Sequence, residues 1–394
     1  MNKLIRTLSF TLLVLGLCAA AQAQGQEQTT EATVTHLEGS ATFKIGSGPA
    51  QAIAVGTKIP QGAEITTQAG SQVTIQAHDG IVAVAGEKTT VQVEKLSVSA
   101  DGMRNAIIDL KSGKLASSLD PARKNQNNYS VRTPKGVAAA RGTTYTVAYD
   151  GVIYSVTVVA GVVQSFSASG VGTNVTIGQV VSDTGNGATT QTLAEAVASN
   201  PSMAEGLALL ASAVASVSND VNDVAAVINT IASSAGTGQG ATDAVASATA
   251  AAAATAATNP NITGSSGGAA NVASSIVGAA VSGSATAGNS ASAGTIVATT
   301  TAAVASVSGT PVATLAATLT GTANNTAGVN LNATTVANAA QAAVDRGPTT
   351  VTTTTLVETE SPTGETRVVE TPIVTPPTPV DLPPEPVSPS GSNL

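Results

Sequence analysis

The sequence predicts a mainly β protein: a compact antiparallel β-sandwich or short β-solenoid, then an Ala-rich, partly helical low-complexity region, then a disordered Pro-rich tail. Three observations carry that reading. Between residues 33 and 182, short alternating runs are broken by turn residues about every 8 to 12 positions. Beyond residue 23 every aromatic side chain lies between Phe43 and Phe166, and there is no Trp. From 189 to 345 the chain turns to Ala, Ser and Thr, and from 346 to 394 to Thr and Pro.

The amino terminus sets the expected compartment. Lys3 and Arg6 precede an apolar run from Leu8 to Leu17, and Ala21-Gln22-Ala23 is a small-x-small cleavage site before Gln24. A signal peptide over 1–23 follows, and with it an exported chain, periplasmic, surface-bound or secreted. The run is too short to span a bilayer, which takes about 20 residues, and no later run approaches that length. Leu17 stands where lipid attachment at Cys18 would want a smaller residue, so cleavage at Gln24 is the expected route. The mature chain then has no cysteine, hence no disulfide and no thiolate.

The β-region is clearest from Thr133 to Val163. Pro134 pushes Thr133 into the extended region, so a strand through Tyr129, Val131 and Thr133 ends there. Gly136 permits a turn, Val137 to Ala140 is small and apolar, and Gly142 leaves room for a close backbone contact after Arg141. Tyr145, Val147 and Tyr149 then alternate with Thr144, Thr146 and Ala148. Asp150-Gly151 is a hairpin signal, followed by a strand through Val152, Tyr154, Val156 and Val158. Upstream, Gly39 marks a turn, Val73 to Ala77 a strand, Asp79-Gly80 a second turn, and Leu110 to Leu115 reads L-K-S-G-K-L.

This ordered set, ending in T-P then R-G-T, resembles the FecR protein domain over roughly Val34 to Phe166. The motif residues are Thr133, Pro134, Arg141, Gly142 and Thr143. Arg141 is the last basic residue before a stretch, 142–345, that contains neither Lys nor Arg. It could bind an anionic ligand; the favoured reading has it hydrogen-bonding carbonyls at the turn. Proteins named for this domain relay receptor occupancy across the inner membrane to a sigma factor, through a cytoplasmic helical segment and a membrane-spanning helix. The expected cleaved leader leaves this chain an exported relative with the domain and without the relay.

In the third region, Asn200-Pro201-Ser202 starts a helix carrying Leu207, Leu210, Val214 and Val217, and Asn219 or Asp220 caps another carrying Val224, Val227, Ile228 and Ile231. Asn-Pro recurs at 259–260, and Ala-Val-Ala-Ser-Val-Ser occurs at 213–218 and 303–308, too loosely spaced to define a period. Gly-Ser-Ser-Gly-Gly at 264–268 reads as flexible, and methyl-sized side chains bury little area each, so partial order is expected. A protease-resistant core ending between about 165 and 190 follows from the same argument.

Charge excludes some partners. Residues 24–150 hold twelve basic and eleven acidic side chains, and the remainder two and thirteen. An acidic half without Lys or Arg cannot neutralise phosphates, which argues against nucleic acid and anionic lipid. Catalytic sets are sparse. His78 beside Asp79-Gly80 reads as an exposed residue at a turn, and Asp220 with Asp223 as solvated caps. No catalytic residue, cofactor site or metal site is expected. The sequence therefore points to a non-enzymatic FecR-domain protein binding an envelope protein or glycan, the other reading being a periplasmic accessory of a FecR-type signalling system.

Overall fold

In a computed structural model of the chain, residues 27–346 other than Asn186 are described, together with 349–353 and 371–375. The expected leader and most of the Thr/Pro-rich tail lie outside the described residues. Two tail segments, Thr349–Thr353 and Thr371–Thr375, pair as an antiparallel ribbon where an unstructured tail was expected. Thr-rich stretches have the β-branched side chains that strands favour.

The sequence's β-region forms two face-to-face sheets. Across the outer sheet the order is β4 (Gln51–Ala52), β3 (Ala41–Ile45), β6 (Ala63–Thr67), β9 (Thr90–Val98), the first half of β10 (Arg104–Leu119), β11 (Asn127–Thr133), β12 (Gly136–Ala140), β15 (Val162–Ser167) and β16 (Gly172–Thr176). A short β1 (Gln28–Thr29) lies along the end of β9. The middle sheet runs β5 (Lys58–Pro60), β2 (Glu31–Glu38), β7 (Gln72–His78), β8 (Ile81–Ala85), the second half of β10, β13 (Thr144–Tyr149), β14 (Tyr154–Ala160), β17 (Gln179–Asp183) and β18 (Ala188–Thr192). Every pairing in both sheets is antiparallel except β10 with β11. β18 carries the middle sheet on to Thr192, past the boundary expected at 182.

β10 links the sheets. Its pairing partners change from β9 and β11 to β8 and β13 around Gly113, which has φ +95° and whose missing Cβ would lie 2.6 Å from the Thr89 Cα. Only glycine fits that crossing. Between the sheets lie Tyr129, Tyr145 and Tyr154, all fully buried. Tyr129 and Tyr145 meet edge to face at 6.5 Å, and the Tyr129 and Tyr154 hydroxyls pair with Ser117 and Ser165 at 2.9 and 3.0 Å. Gly136 has no left-handed φ; it is glycine because a Cβ would sit 2.7 Å from the Tyr154 ring.

A third layer covers the middle sheet. It contains nine α-helices among the described residues: α1 (Leu193–Ser199), α2 (Met203–Val217), α3 (Val221–Ser234), α4 (Gln239–Thr258), α5 (Pro260–Ser266), α6 (Ala269–Thr286), α7 (Ala293–Ser308), α8 (Val312–Ala323) and α9 (Ala333–Arg346). A Thr192/Glu195 capping box starts α1, and Asp220 caps α3 by accepting from the Asn222 N–H at 2.9 Å. α2, α4, α7 and α9 lie side by side in one row, and α3, α6 and α8 in a second. Asn259, after α4, donates to the Ala215 and Ser218 carbonyls at the end of α2, both at 3.0 Å, so these two helices run parallel. The result is a stack of helical hairpins.

The stack accounts for the repeated hexapeptide. Both copies end row-one helices, α2 and α7; Val214 and Val304 are buried, and Ser216 and Ser306 bond back to the Ala213 and Ala303 carbonyls. Partial order is not what the small residues produce. Small side chains let helix axes approach closely: a Cβ on Gly283 of α6 would lie 2.7 Å from the Asn229 carbonyl oxygen of α3. Nor is 264–268 a flexible linker. It ends α5, with Gly267 as a left-handed cap at φ +76°.

Stack and sheet share one core. In β8, Ile81, Ala83 and Ala85 face the outer sheet, while Val82 and Val84 join Leu207, Leu209 and Leu210 of α2. Leu209 presses so close to β8 that a Cβ on Gly86 would be 2.5 Å from its Cδ1. Thr146 of β13 donates to the Gly206 carbonyl at 3.1 Å. Leu210→Ala should lower the unfolding free energy by about 2–4 kcal/mol. Since tyrosines occur only in the sandwich, tyrosine fluorescence and helical circular dichroism should report one coincident transition, before and after the substitution. Two separate transitions would mean that the layers do not share a core.

Candidate functional site

Of the motif residues Thr133, Pro134, Arg141, Gly142 and Thr143, most hold the backbone. Thr133 Oγ1 accepts from the Lys135 and Gly136 N–H groups at 3.2 and 3.0 Å, closing the turn around Pro134. Gly142 lies against Pro121, whose Cα would be 2.9 Å from an added Cβ, so glycine is required for contact, as expected. Thr143 is buried and its hydroxyl donates to the Val162 carbonyl at 3.1 Å. Arg141 departs from the favoured reading. Its side chain is exposed and makes no hydrogen bond or ion pair among the described residues.

His78 is also differently placed. It is 9% exposed, not an exposed turn residue, and its Nε2 donates to the Asn105 carbonyl at 3.1 Å. Burial, and secondarily the Arg104 charge, push its imidazole below the ordinary range in spite of that hydrogen bond. Asp79 is taken by Arg123, which also reaches Asp120 at 3.3 Å. His78 and Asp79 do not form a dyad. Asp220 is a helix cap, and Asp223 accepts from Ser218 at 3.2 Å. Among the described residues no three His, Cys, Asp or Glu side chains come together.

A concave feature lies elsewhere, where the middle sheet meets the first helices. It is a groove of about 570 Å³, within the range of ligand pockets. One wall is the outward face of β13, β14, β17 and β18, presenting Thr146, Ser155, Thr157, Ser182, Thr189 and Gln191. The opposite wall is the start of the helical layer, with Ser199, Asn200, Ser202 and Met203. Its charged groups have partners, the exposed Lys88 approaching Glu87 at 3.9 Å. Lys114 pairs with Glu205, and the Asp150 carboxylate accepts from the Val152 and Ile153 N–H groups at 2.8 and 2.7 Å, which holds it below the usual carboxylate range. The Tyr149 hydroxyl donates to the Gly151 carbonyl at 2.9 Å. What remains is a mixed lining, hydroxyls and amides interleaved with the apolar side chains of Ala148, Ile153, Val180, Ala196, Met203 and Leu207. It is suited to hydrogen-bonding and packing against an uncharged ligand. Sequence reasoning missed these residues because a polar face on alternate strand positions looks like solvent-facing surface.

Comparison with known proteins follows the same lines. Residues 63–164 match the family described as FecR protein. The chain carries a FecR domain. Two crystal structures of a protein from Parabacteroides distasonis, assigned as an anti-sigma factor, are similar at 14% identity with a TM-score of 0.28, covering 33% of this chain and 59% of theirs. The chain thus spans somewhat over half the length of those structures. No curated protein matches it in sequence. The FecR match begins at Ala63 and ends at Gln164, so it takes in the motif residues and both halves of β10.

Two outcomes separate scaffold from surface in the FecR domain. Gly142→Ala should destabilise the fold by about 1–3 kcal/mol because Pro121 backbone must move, whereas Arg141→Ala should stay within about 0.5 kcal/mol of the parent; denaturant midpoints measure both. His78 also gives a pH dependence. Its folded pKa lies below the unfolded value, so its contribution is present above about pH 6.5 and is lost as pH falls through that range toward the folded pKa. His78→Gln should flatten this part of a stability-against-pH profile.

Proposed function

We propose that this is a non-enzymatic, exported FecR-domain protein that binds a glycan of the cell envelope in the groove between middle sheet and helices. The observation that carries the reading is the lining: hydroxyls and amides on both walls among apolar side chains, with Lys88, Lys114 and Asp150 each engaged by a neighbour. Such a surface matches neutral sugar hydroxyls, each able to donate and accept. The n-region, apolar run and Ala-x-Ala site at the amino terminus support export. A glycan is favoured over a protein because hydroxyls and amides stand on both walls, while the aromatic residue of the lining, Tyr149, is buried and offers no exposed anchor of the kind that dominates protein interfaces.

A second reading, a periplasmic accessory of a FecR-type signalling system, is favoured by the family match itself. The two differ in what occupies the protein. Titration calorimetry of the full chain against neutral oligosaccharides from envelope material should show saturable binding. Ser155→Trp, which fills the groove from β14, should weaken it at least tenfold with the fold intact by circular dichroism. Absence of binding to all such oligosaccharides, or undiminished binding by Ser155→Trp, would remove the glycan reading and leave the signalling one.

A further inference from the structure

At the end of the sandwich away from the groove, polar groups have been enclosed without partners. Arg104 opens β10 and Asn127 opens β11, and the parallel register sets them side by side, about 4.8 Å apart by strand spacing. Both share the inward face with their neighbours two residues on, Ala106 and Tyr129, which are buried in the core. Asn127 is 0% exposed, yet neither its Nδ2 nor its Oδ1 has a hydrogen-bond partner. The Arg104 Nη1 is likewise buried and unpaired. The two side chains therefore do not satisfy each other. Leaving such donors enclosed is costly, on the order of 1–3 kcal/mol per group and more for a charged one.

The nearby acids do not serve Arg104. Asp79 and Asp120 are held by Arg123, and Glu27 is engaged by Lys95 at 2.8 Å and by Asn105 at 3.0 Å. His78 is no acceptor for it either among the bonds described, its Nε2–H being directed at the Asn105 carbonyl. Two more cations stand at the same end without an ion pair among the described residues. Lys124 is in the loop that leads into β11, with its Cβ 3.1 Å from an ideal Gly142 Cβ, and Arg141 precedes that glycine. The Arg104 N–H donates to the Gln126 carbonyl at 2.7 Å, which ties this loop to the start of β10. Arg104 itself is partly exposed, so the end is open to solvent on the arginine's side.

We propose that this end of the sandwich is a carboxylate-binding site. Arg104 Nη1 and Asn127 Nδ2 hold one carboxylate group, and Lys124 and Arg141 form a basic rim that draws acidic ligands to it. A planar carboxylate offers two acceptor oxygens, one for each of these donors on adjacent strands, and its bond from the guanidinium is charge-assisted. The site lies on a different surface from the groove and stands independently of the glycan reading.

The test is thermal unfolding of the full chain in acetate, with ionic strength held constant by chloride. Acetate should raise the midpoint by about 2 °C, and Arg104→Gln should abolish the rise. Asn127→Asp places a carboxylate beside the guanidinium permanently; it should also abolish the rise while leaving the midpoint in chloride at or above the parent's. A tetra-aspartate peptide should raise the midpoint further than acetate, and Lys124→Ala with Arg141→Ala should remove that extra rise only. No response of the parent to acetate, a rise that survives Arg104→Gln, or a larger rise with phosphate than with acetate would each overturn the assignment. An Asn127→Asp variant that is destabilised and still responds would show that the two side chains enclose water only.

Discussion

The whole architecture depends on the centre of the middle sheet, at β8, being covered on both faces. β8 makes this explicit: Ile81 to Ala85 is buried at every position, with alternate side chains committed to the outer sheet and to the helices. A strand buried on both sides cannot be stable in half of the molecule, because removing either neighbour exposes a row of aliphatic side chains. The sandwich and the helical stack are therefore thermodynamically coupled through α2, which bears on β8, β10 and β13. This coupling also explains the position of the groove: it opens where the helical cover begins at α1 and α2, leaving part of the sheet's polar outward face uncovered.

The helical layer shows how methyl-sized side chains make an ordered core. Each buries little, but small residues bring backbones together, and close backbones multiply weak dispersion contacts. Gly283 against Asn229, and Gly240 with its would-be Cβ 3.0 Å from the Val197 carbonyl, are places where a larger side chain would not fit. Some threonine and serine hydroxyls inside the helices return to carbonyls of their own helix, as Thr249 does to Val245 at 2.6 Å and Thr301 to Val297 at 2.7 Å. Those of Ser284, Thr299, Thr300 and Thr320 are buried without a partner.

Much of this was legible in the residues. The strands around Tyr129 and Tyr145, the hairpin at Asp150-Gly151 and a helix cap at Asn219 or Asp220 follow from local rules, since each depends on neighbours in sequence. What was not legible depended on partners far away in the chain. The run Gly80 to Gly86 is apolar without alternation, a signal of a strand buried on two sides, but its second partner lies over a hundred residues downstream. His78 looked like turn edge because Asp79-Gly80 is a turn; its burial comes from Asn105 and Arg104 on β10. The groove residues could not be told from solvent-facing ones, because the helices that make them a wall are specified elsewhere. The loose repetition at 213–218 and 303–308 was visible, while its meaning as equivalent helix ends required the stack.

The carboxyl-terminal end of that stack has its own significance. α9 buries Val336, Ala340 and Ala343 against its neighbours and turns Thr334, Asn338 and Gln341 outward, as a terminal cap should. Hairpins in such a row touch only the ones beside them. The separation between the sandwich and whatever follows residue 346 is thus a ruler graduated in hairpins, each worth about 8–10 Å. Duplication or loss of one would lengthen or shorten this spacer in whole units while every contact inside the sandwich stayed as it is.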